Sequence, residues 1–394
     1  MFGTRNRADP RVELERAFAR RVDAAYGLSF WKGRVGFYGL LKALGLGAGH
    51  EVILPGFTCV MDVNPVLYVG ATPVFVDIDA SSYNLDPAKL EAKITPRTRL
   101  IVAQHTFGIP CDLDAIASIA RRHAIDLVED CCLALGSTYR GQQVGTFSRA
   151  AYWSFQWNKT ITAGLGGMVT TSDAGLAREL ERVRAKGMTA ATFVADARLA
   201  VERAAHRLMS FPGGIPLATA AYRAATKARI VTGSSSPEEL GTAMPSGFFA
   251  GMGARQAIAA ARALGELDRN VAHRRGIAEI YESQLRPHGG VLPKAPAGSD
   301  PVFVRYPVRV ANKERALREA HRRGVELGSW FESPLHPAET NLEAHGYTPG
   351  TCPVAEVACR ETVNLPTHSG VTAPTAGRAV RAALGQTLAK PFPA

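Results

Sequence analysis

The feature that most constrains this fold is an alternation of strand and helix patterns between residues 50 and 187. Short β-rich runs such as TPVFVDID and RLIVAQHTFG are each followed by a helical pattern, and the turns between them are short. Parallel strands must be joined by crossover connections, which are usually helices. The alternation therefore predicts an α/β fold whose mostly parallel sheet is covered by helices on both faces.

The flanking segments predict additional elements and a second domain. A helix is expected at 10–26, and residues 188–246 interrupt the alternation with two helical patterns separated by FPGG. We expect this insertion to pack on the main domain, with a substrate lid or an amphipathic membrane-surface patch as alternatives. One long helix at 252–285 should lead into a strand, VFVRYPVRV. We therefore expect a large domain over 1–250 and a small α+β domain over 251–394.

Composition and charge narrow the classes of function. Hydrophobic residues make up 46% and charged residues 21%, which is typical of soluble globular proteins. The formal charge of +11 favours anionic partners, but the basic residues are scattered and form no arm, so we expect no nucleic-acid partner. The charged start MFGTRNRADPRVELERAF does not resemble a secretory signal, and no apolar run could span a bilayer, which predicts a cytoplasmic protein.

The six cysteines form no CxxC pair and have no histidine at zinc-finger spacing, so we expect no metal site. Without a secretory signal, disulfides are not expected either. The bland interpretation is that these cysteines are small apolar residues of the core.

The stretch SFQWNKTITAGLGG, residues 154–167, places a single lysine in an apolar, hydroxyl-rich and glycine-rich run. A lysine ammonium is costly to desolvate. If Lys159 lies in a pocket at the edge of the sheet, burial would favour the free amine, a nucleophile that forms a Schiff base with an aldehyde. For a lysine taken alone, a solvated surface position is the default.

Three further features give this lysine a chemical context. Asp130 closes the strand pattern LVED, which predicts a position at the carboxyl end of a sheet strand, where α/β sheets bind ligands. A carboxylate there could keep a pyridine nitrogen protonated, as pyridoxal-phosphate chemistry requires. Gly33 and Arg34 open a predicted helix after a tight turn, a place where backbone N–H groups bind phosphate. Ser154, five residues before Lys159, offers a hydroxyl to the same phosphate.

In this order and spacing, the motifs resemble the DegT/StrS-type aminotransferases, which are fold-type-I pyridoxal-phosphate (PLP) enzymes of the aspartate aminotransferase superfamily. The resemblance covers nearly the whole chain and is most specific at 128–169, VEDCCLALGSTYRGQQVGTFSRAAYWSFQWNKTITAGLGGMV. PGFTC at 55–59, GATPVFVDID at 70–79 and PLHP at 334–337 also match. The resemblance implies an aspartate-aminotransferase-like large domain with a mostly parallel central sheet and a smaller α+β C-terminal domain.

The resemblance also implies roles for individual residues. Lys159 matches the Schiff-base lysine, Asp130 the acid that pairs with the pyridinium nitrogen, and Ser154 and Gly33 two positions that contact the phosphate. His105 matches a position close to the site. The predicted catalytic set is Lys159, Asp130 and His105, and the predicted cofactor-binding set is Gly33, Arg34, Cys59, Asp130, Leu133, Ser154 and Lys159.

Several positions depart from the family pattern. Cys59 stands where an aromatic usually stacks on the cofactor, and Leu133 where sugar aminotransferases tend to carry Gln or His. Phe249 replaces an asparagine that reaches across the dimer to the phosphate. The other departures are Lys32 and Arg34 for the serine and threonine of S-G-T, Leu165 for a glutamate and Arg149 for an aspartate. The lost residues surround the substrate and the cofactor face, so the carbonyl substrate stays open.

The activity implied by the resemblance is transamination from an amino acid donor, glutamate or glutamine, to a keto-sugar, keto-cyclitol or related carbonyl. A homodimer with two shared active sites is expected. One alternative is a PLP-dependent enzyme that does not transaminate, such as a lyase, a decarboxylase or a carbon–carbon bond-forming enzyme. Another is a non-enzymatic regulator or structural partner, which the retained Lys159, Asp130 and Ser154 argue against.

Overall fold

The structure of the chain, a computed structural model, describes residues 9–209, 237–289 and 292–384. The strands are β1 (Tyr26–Phe30), β2 (Glu51–Pro55), β3 (Thr58–Cys59), β4 (Thr72–Val76), β5 (Thr98–Gln104), β6 (Asp126–Asp130), β7 (Thr138–Tyr139), β8 (Gln142–Gln143), β9 (Ala150–Ser154), β10 (Gly167–Thr171), β11 (Ser299–Asp300), β12 (Arg305–Arg309), β13 (Leu335–His336) and β14 (Thr362–Pro366).

The α-helices alternate with these strands in the first half of the chain. They are α1 (Pro10–Arg21), α2 (Gly33–Ala43), α3 (Val60–Tyr68), α4 (Pro87–Leu90), α5 (Leu113–Arg122), α6 (Ala174–Gly187), α7 (Phe193–Met209), α8 (Ala254–Leu264), α9 (Leu267–Leu285), α10 (Lys313–Arg322), α11 (Pro353–Glu361) and α12 (Ala373–Leu384). Asp9, Asp86, Asp112 and Asp173 cap the first turns of α1, α4, α5 and α6 through their side chains.

A seven-stranded sheet organises the large part of the molecule, in the order β1-β10-β9-β6-β5-β2-β4. Strand β10 runs antiparallel to both of its neighbours, and the pairs from β9 to β4 are parallel. This confirms the predicted α/β fold with a mostly parallel sheet. The carboxyl ends of β5, β6 and β9 therefore meet along one edge.

Helices cover both faces of this sheet. On one face, α2, α3 and α6 pack against side chains such as Val128 and Tyr152. On the other face, α1, α5 and α8 pack against side chains such as Leu127 and Trp153. Because successive strand residues point to opposite faces, Asp130 shares the α2 face with Tyr152, whereas its neighbour Glu129 points to the α1 face.

The C-terminal part has its own small core. Strands β12 and β14 pair antiparallel, and α9, α10 and α12 pack against them around side chains such as Tyr281, Tyr306 and Val380. The helix predicted over 252–285 is instead two helices, α8 and α9, because the chain turns at Gly265 and Glu266. The first half of α9 packs on the large core and the second half on the small one. A domain boundary at 250/251 stays a prediction.

Strand β1 was not predicted, and α1 ends at Arg21 rather than continuing to residue 26. Tyr26 pairs with Thr171 and Phe30 with Gly167, so this edge strand forms through partners about 140 residues away along the chain.

In the predicted insertion, α7 packs on α8, and Asp196 accepts hydrogen bonds from the backbone N–H groups of Arg255 and Gln256. Residues 210–236 of the insertion lie outside the described residues.

No helix within the described ranges is both long enough and apolar enough to cross a bilayer. Helix α7 nevertheless presents three exposed apolar side chains, Phe193, Val194 and Val201. The membrane-surface alternative for the insertion stays an untested prediction.

Gly167 in β10 lies in close contact with the backbone at the start of α2, and a substitution at this glycine tests the packing of the helix on the sheet. A Cβ atom at Gly167 would lie 2.4 Å from the carbonyl carbon of Lys32 and 2.5 Å from the backbone nitrogen of Gly33. We expect Gly167→Ala to lower the free energy of unfolding by at least about 2 kcal/mol, because backbone on both sides must move. Gly276→Ala is the control, since a Cβ there meets nothing within 4 Å inside α9; it should change stability by less than about 1 kcal/mol. Denaturant unfolding measures both, and equal effects would contradict the packing described.

Candidate active site

The candidate site lies at the carboxyl edge of the sheet, where α2 begins. Asp130 ends β6, Ser154 ends β9, and Gly33 is the first residue of α2. A Cβ atom at Gly33 would lie 3.0 Å from the carbonyl oxygen of Trp153 and 3.1 Å from Cβ of Ser154. The helix therefore begins in close contact with the end of β9, and glycine permits that contact.

The N-terminus of α2 has the properties of an anion site. Lys32 precedes the helix in an extended conformation and makes no side-chain cap hydrogen bond. The first N–H groups of a helix lack partners within the helix and carry a partial positive charge. With the half-buried Ser154 hydroxyl beside Gly33, this corner fits a phosphate group.

Lys159 lies in the loop between β9 and β10, which emerges beside this corner. The side chain is half-buried, and its Nζ lies 5.6 Å from the centre of the Trp330 ring. Burial raises the pKa of Asp130, and the positive charge of Lys159 partly offsets that rise, so the two groups are close enough to interact. The structure thus brings together Lys159, Asp130, Gly33 and Ser154, which the sequence placed in one site.

Asp130 is a buried carboxyl group. One of its oxygens accepts a hydrogen bond from the backbone N–H of Cys132 at 2.8 Å. Burial raises the pKa of Asp130, while the hydrogen bond from Cys132 and the charge of Lys159 act in the opposite direction. A cation such as a protonated ring nitrogen would stabilise the charged form of this group. A phosphate corner, an amine and a buried acid are the set that PLP needs, so the residues present fit this cofactor.

A second carboxyl group, Asp62, was not predicted from the sequence. It lies in the first turn of α3, and its Oδ1 accepts a hydrogen bond from the Tyr152 hydroxyl at 3.1 Å. Burial, with the repulsion of Asp130, raises the pKa of Asp62 to about 8. At neutral pH Asp62 is therefore protonated beside the site. The available signal was an acid in the first turn of the helix that follows PGFTC.

Arg34 and Lys32 are paired within the chain. Arg34 Nε lies 3.0 Å from Glu239 Oε1, and Lys32 Nζ lies 3.0 Å from Glu239 Oε2. Asn64 fixes the same segment by donating to the backbone carbonyl of Glu239. Burial, with the charge of Arg34, lowers the pKa of Lys32 to about 8. A contact between Arg34 and a phosphate stays a prediction, since Glu239 already takes up part of its charge.

Cys59 and Leu133 give the site a less polar wall than the family pattern implies. Cys59 ends β3 and is half-buried, and burial together with Asp62 raises the pKa of its thiol to about 11. The thiol is therefore protonated and a poor nucleophile at neutral pH. Leu133 is buried. Their predicted contacts with the cofactor remain predictions.

His105 is placed differently from the predicted catalytic residue. Its ring is fully buried, with Nδ1 accepting from the backbone N–H of Cys111 at 3.0 Å and Nε2 lying 3.1 Å from Glu129 Oε2. Glu129 points to the sheet face opposite Asp130. This geometry favours a positioning role behind β6 over contact with reacting atoms.

His105, Glu129 and Cys131 bring three possible metal-ligand atoms within 4.8 Å of one another. Glu129 also accepts hydrogen bonds from the backbone N–H groups of Gly145 and Phe147. Hydrogen bonds therefore account for the polar atoms of His105 and Glu129, so we propose no metal there.

Two further elements close around the site. Phe249, which replaces the family asparagine, is buried in its own chain and packs edge-on against Tyr38 at 5.3 Å. Helix α7 lies over the loop that carries Lys159, because Arg203 donates to the carbonyl of Ala163 at 3.2 Å. The rings of Trp157 and His206 also meet, at 4.9 Å. The described part of the insertion thus supports the lysine loop.

The comparison with protein families agrees with this geometry. The profile of the DegT/DnrJ/EryC1/StrS aminotransferase family matches residues 5–383. The chain belongs to this family. The enzyme is therefore a PLP-dependent aminotransferase, as predicted.

Relatives and solved structures are similar to this chain over nearly half to nearly all of its length. It is 33% identical to the GDP-perosamine synthase of Caulobacter vibrioides over 386 residues, covering 96% of this chain and 90% of the relative. It is 44% identical over 173 residues to the L-glutamine:2-deoxy-scyllo-inosose aminotransferase of Micromonospora echinospora, covering 44% of this chain and 41% of that one. The crystal structure of S. venezuelae DesV in complex with a ketimine intermediate superposes with a TM-score of 0.75 at 27% identity, covering 95% and 88% of the two chains.

The raised pKa of Asp62 gives a pH-dependent prediction for the cofactor-free protein. A carboxyl group whose folded pKa lies above its unfolded value binds a proton in the folded state that the unfolded chain has lost, so stability falls as pH rises from about 4 towards 8. We expect Asp62→Asn to flatten this fall between pH 5 and 8 by up to about 1.4 kcal/mol per pH unit. Unfolding measured at several pH values tests this, and parallel pH profiles for wild type and variant would contradict it.

Proposed function

We propose that this aminotransferase moves an amino group from L-glutamate or L-glutamine to a keto-sugar or keto-cyclitol. The observation that carries the proposal is the placement of Lys159 beside the buried Asp130, next to the free N-terminus of α2. The printed activities of the relatives, which include GDP-perosamine synthase and glutamine:inosose aminotransferases, support this substrate class. The donor choice rests on the same relatives and on the family resemblance.

Each residue of the site has a proposed role. PLP, when bound, supplies the electron sink that stabilises negative charge at the substrate carbon. Gly33, the N-terminus of α2 and the Ser154 hydroxyl would bind its phosphate, and Asp130 would hold the ring nitrogen protonated. Lys159 would attach the cofactor through its amine, and once displaced by the donor it would move the proton as general base and acid.

We also propose a homodimer with shared active sites and a cytoplasmic location. The dimer follows from the family resemblance. Because Phe249 packs against Tyr38 of its own chain, any partner contact with the phosphate would come from another residue. Light scattering of the purified protein tests the dimer, and a monomer at micromolar concentration would contradict it.

A PLP enzyme that does not transaminate is the second candidate. The observation that favours it is the apolar character of the wall at Leu133, where sugar aminotransferases tend to carry Gln or His. The two candidates differ in one measurable property, because only transamination leaves the amino group on the cofactor.

The test is a visible absorption titration of the PLP-loaded protein with L-glutamate and L-glutamine. We expect the band of the lysine-bound cofactor to convert to the band of the aminated cofactor. A band that neither amino acid converts would favour the non-transaminating candidate.

We expect Lys159→Ala to retain the fold by circular dichroism but to lose the covalent linkage, because it lacks the amine. A variant that still shows the linked cofactor would contradict the assignment of Lys159.

A further inference from the structure

Two buried nitrogen atoms near the Trp330 ring, which Lys159 also approaches, have no hydrogen-bond partner among the described residues. They are Nε of Arg305 and Nδ1 of His336. Buried polar groups are rarely left unpaired, so each of these atoms calls for an explanation. Both side chains lie next to the ring of Trp330.

Arg305 and Lys159 both lie against the Trp330 ring. The guanidinium carbon of Arg305 is 4.4 Å from the ring centre, and Lys159 Nζ is 5.6 Å from it. A cation over an indole face is attracted to the ring, but the ring does not neutralise it. His336 belongs to the same cluster, with its ring 6.2 Å from that of Trp330. Strand pairing then places His336 opposite Cys59, at the wall of the candidate site.

Among the described residues, the charge of Arg305 has little compensation. Burial lowers its pKa, and the acid that opposes this effect is the exposed Glu326. Burial also lowers the pKa of His336 to about 4, which leaves its ring neutral at pH 7. The nearby Arg274 is a contrast, because its guanidinium donates to Asn270, to Thr367 and to the carbonyl of Val304. Arg305 is thus a half-buried cation whose buried Nε lacks the hydrogen bonds that its neighbour makes with described residues.

The surrounding chain holds Trp330 in a fixed place. The side-chain amide of Asn364 accepts from the backbone N–H of Trp330 at 2.8 Å and donates to its carbonyl at 2.9 Å. Lys313 donates to the carbonyls of Ser329 and Phe331 on either side. Gly328 leaves room for Arg305, since a Cβ there would lie 2.3 Å from its Nη1. The Trp330 ring and the Arg305 guanidinium are therefore held in place by the chain itself.

We propose that Arg305, with Nδ1 of His336 beside it, binds a carboxylate of the amino donor while the donor amine is held at the position of Lys159. A carboxylate is planar and accepts two parallel hydrogen bonds from a guanidinium, which explains an arginine at this place. The donor carboxylate would also bring a negative charge next to the Arg305 guanidinium. This inference rests on the proposed function, because it assigns a binding residue to the amino acid substrate of the same site.

The test uses PLP-loaded wild type and the variants Arg305→Gln and Arg305→Lys, in single-turnover titrations with L-glutamate and L-glutamine. We expect Arg305→Gln to raise the apparent Kd for the donor about tenfold or more, because a charge-assisted pair is lost. Arg305→Lys keeps the positive charge but loses the two parallel N–H donors of the guanidinium. Its apparent Kd for the donor should therefore lie between those of wild type and Arg305→Gln. The absorption band of the bound cofactor before donor is added should be unchanged in both variants. Calorimetric binding of glutarate, which has carboxylates but no amine, should weaken in parallel.

The two donors identify which carboxylate is bound. A loss of affinity for both donors indicates the α-carboxylate, and a loss for L-glutamate alone indicates the side-chain carboxylate; either supports the proposal. Arg309→Gln is the matched control, because Arg309 is a buried arginine of the same strand that is already paired with Glu361. Its donor affinity should equal that of wild type.

Unchanged donor and glutarate affinities in Arg305→Gln, or equal losses in Arg309→Gln, would overturn the proposal. If Arg305→Gln does not fold, Arg305→Lys decides by the same comparison. A wild-type protein that binds PLP but is converted by neither donor would instead refute the proposed transamination, and glutarate binding would then still report on Arg305 by itself.

Discussion

The N-terminus of α2 rests directly on the ends of two strands, and the site depends on that contact. Gly167 begins β10 and pairs with Ser154 at the end of β9, while the backbone of Lys32 and Gly33 lies against Gly167. Because β10 is antiparallel to β9, the connecting loop leaves and re-enters the sheet at this same edge. Lys159 is carried by that loop. One close backbone approach thus brings together a helix N-terminus, a hydroxyl and an amine.

Charge around the lysine is arranged in two layers. Asp130 and Asp62 form an acidic layer: burial raises the pKa of both carboxyl groups, and the charge of Asp130 raises that of Asp62 further. A cationic cofactor ring would favour the charged form of Asp130, while the raised pKa of Asp62 favours its protonated form. In the second layer, Arg305 and His336 each keep a buried nitrogen that has no hydrogen-bond partner among the described residues. An amino acid donor would place its carboxylate against Arg305, so the two layers orient the substrate in one direction.

Local patterns in the sequence predicted much of this. The strand before Asp130, the helix start at Gly33 and the lysine run at 154–167 each follow from periodicity, turn chemistry and family motifs. Other parts arise from long-range contacts that no local pattern encodes. Strand β1 exists because β10 pairs with it, and one helix became two because the chain turns at Gly265. Asp62 was not predicted, because only its folded surroundings raise its pKa, and the Trp330 ring joins Lys159 and Arg305 from segments far apart in the chain.

We infer that Lys159, rather than another amine, holds the cofactor. Lys32 is the competitor, because it lies at the same helix start and its pKa is lowered to about 8. The direct measurement is to incubate the protein with one equivalent of PLP, reduce the linkage with borohydride and map the modified peptide by mass spectrometry. We expect the phosphopyridoxyl group on the peptide that contains Lys159. Stoichiometric modification of Lys32, with Lys159 unmodified, would contradict it.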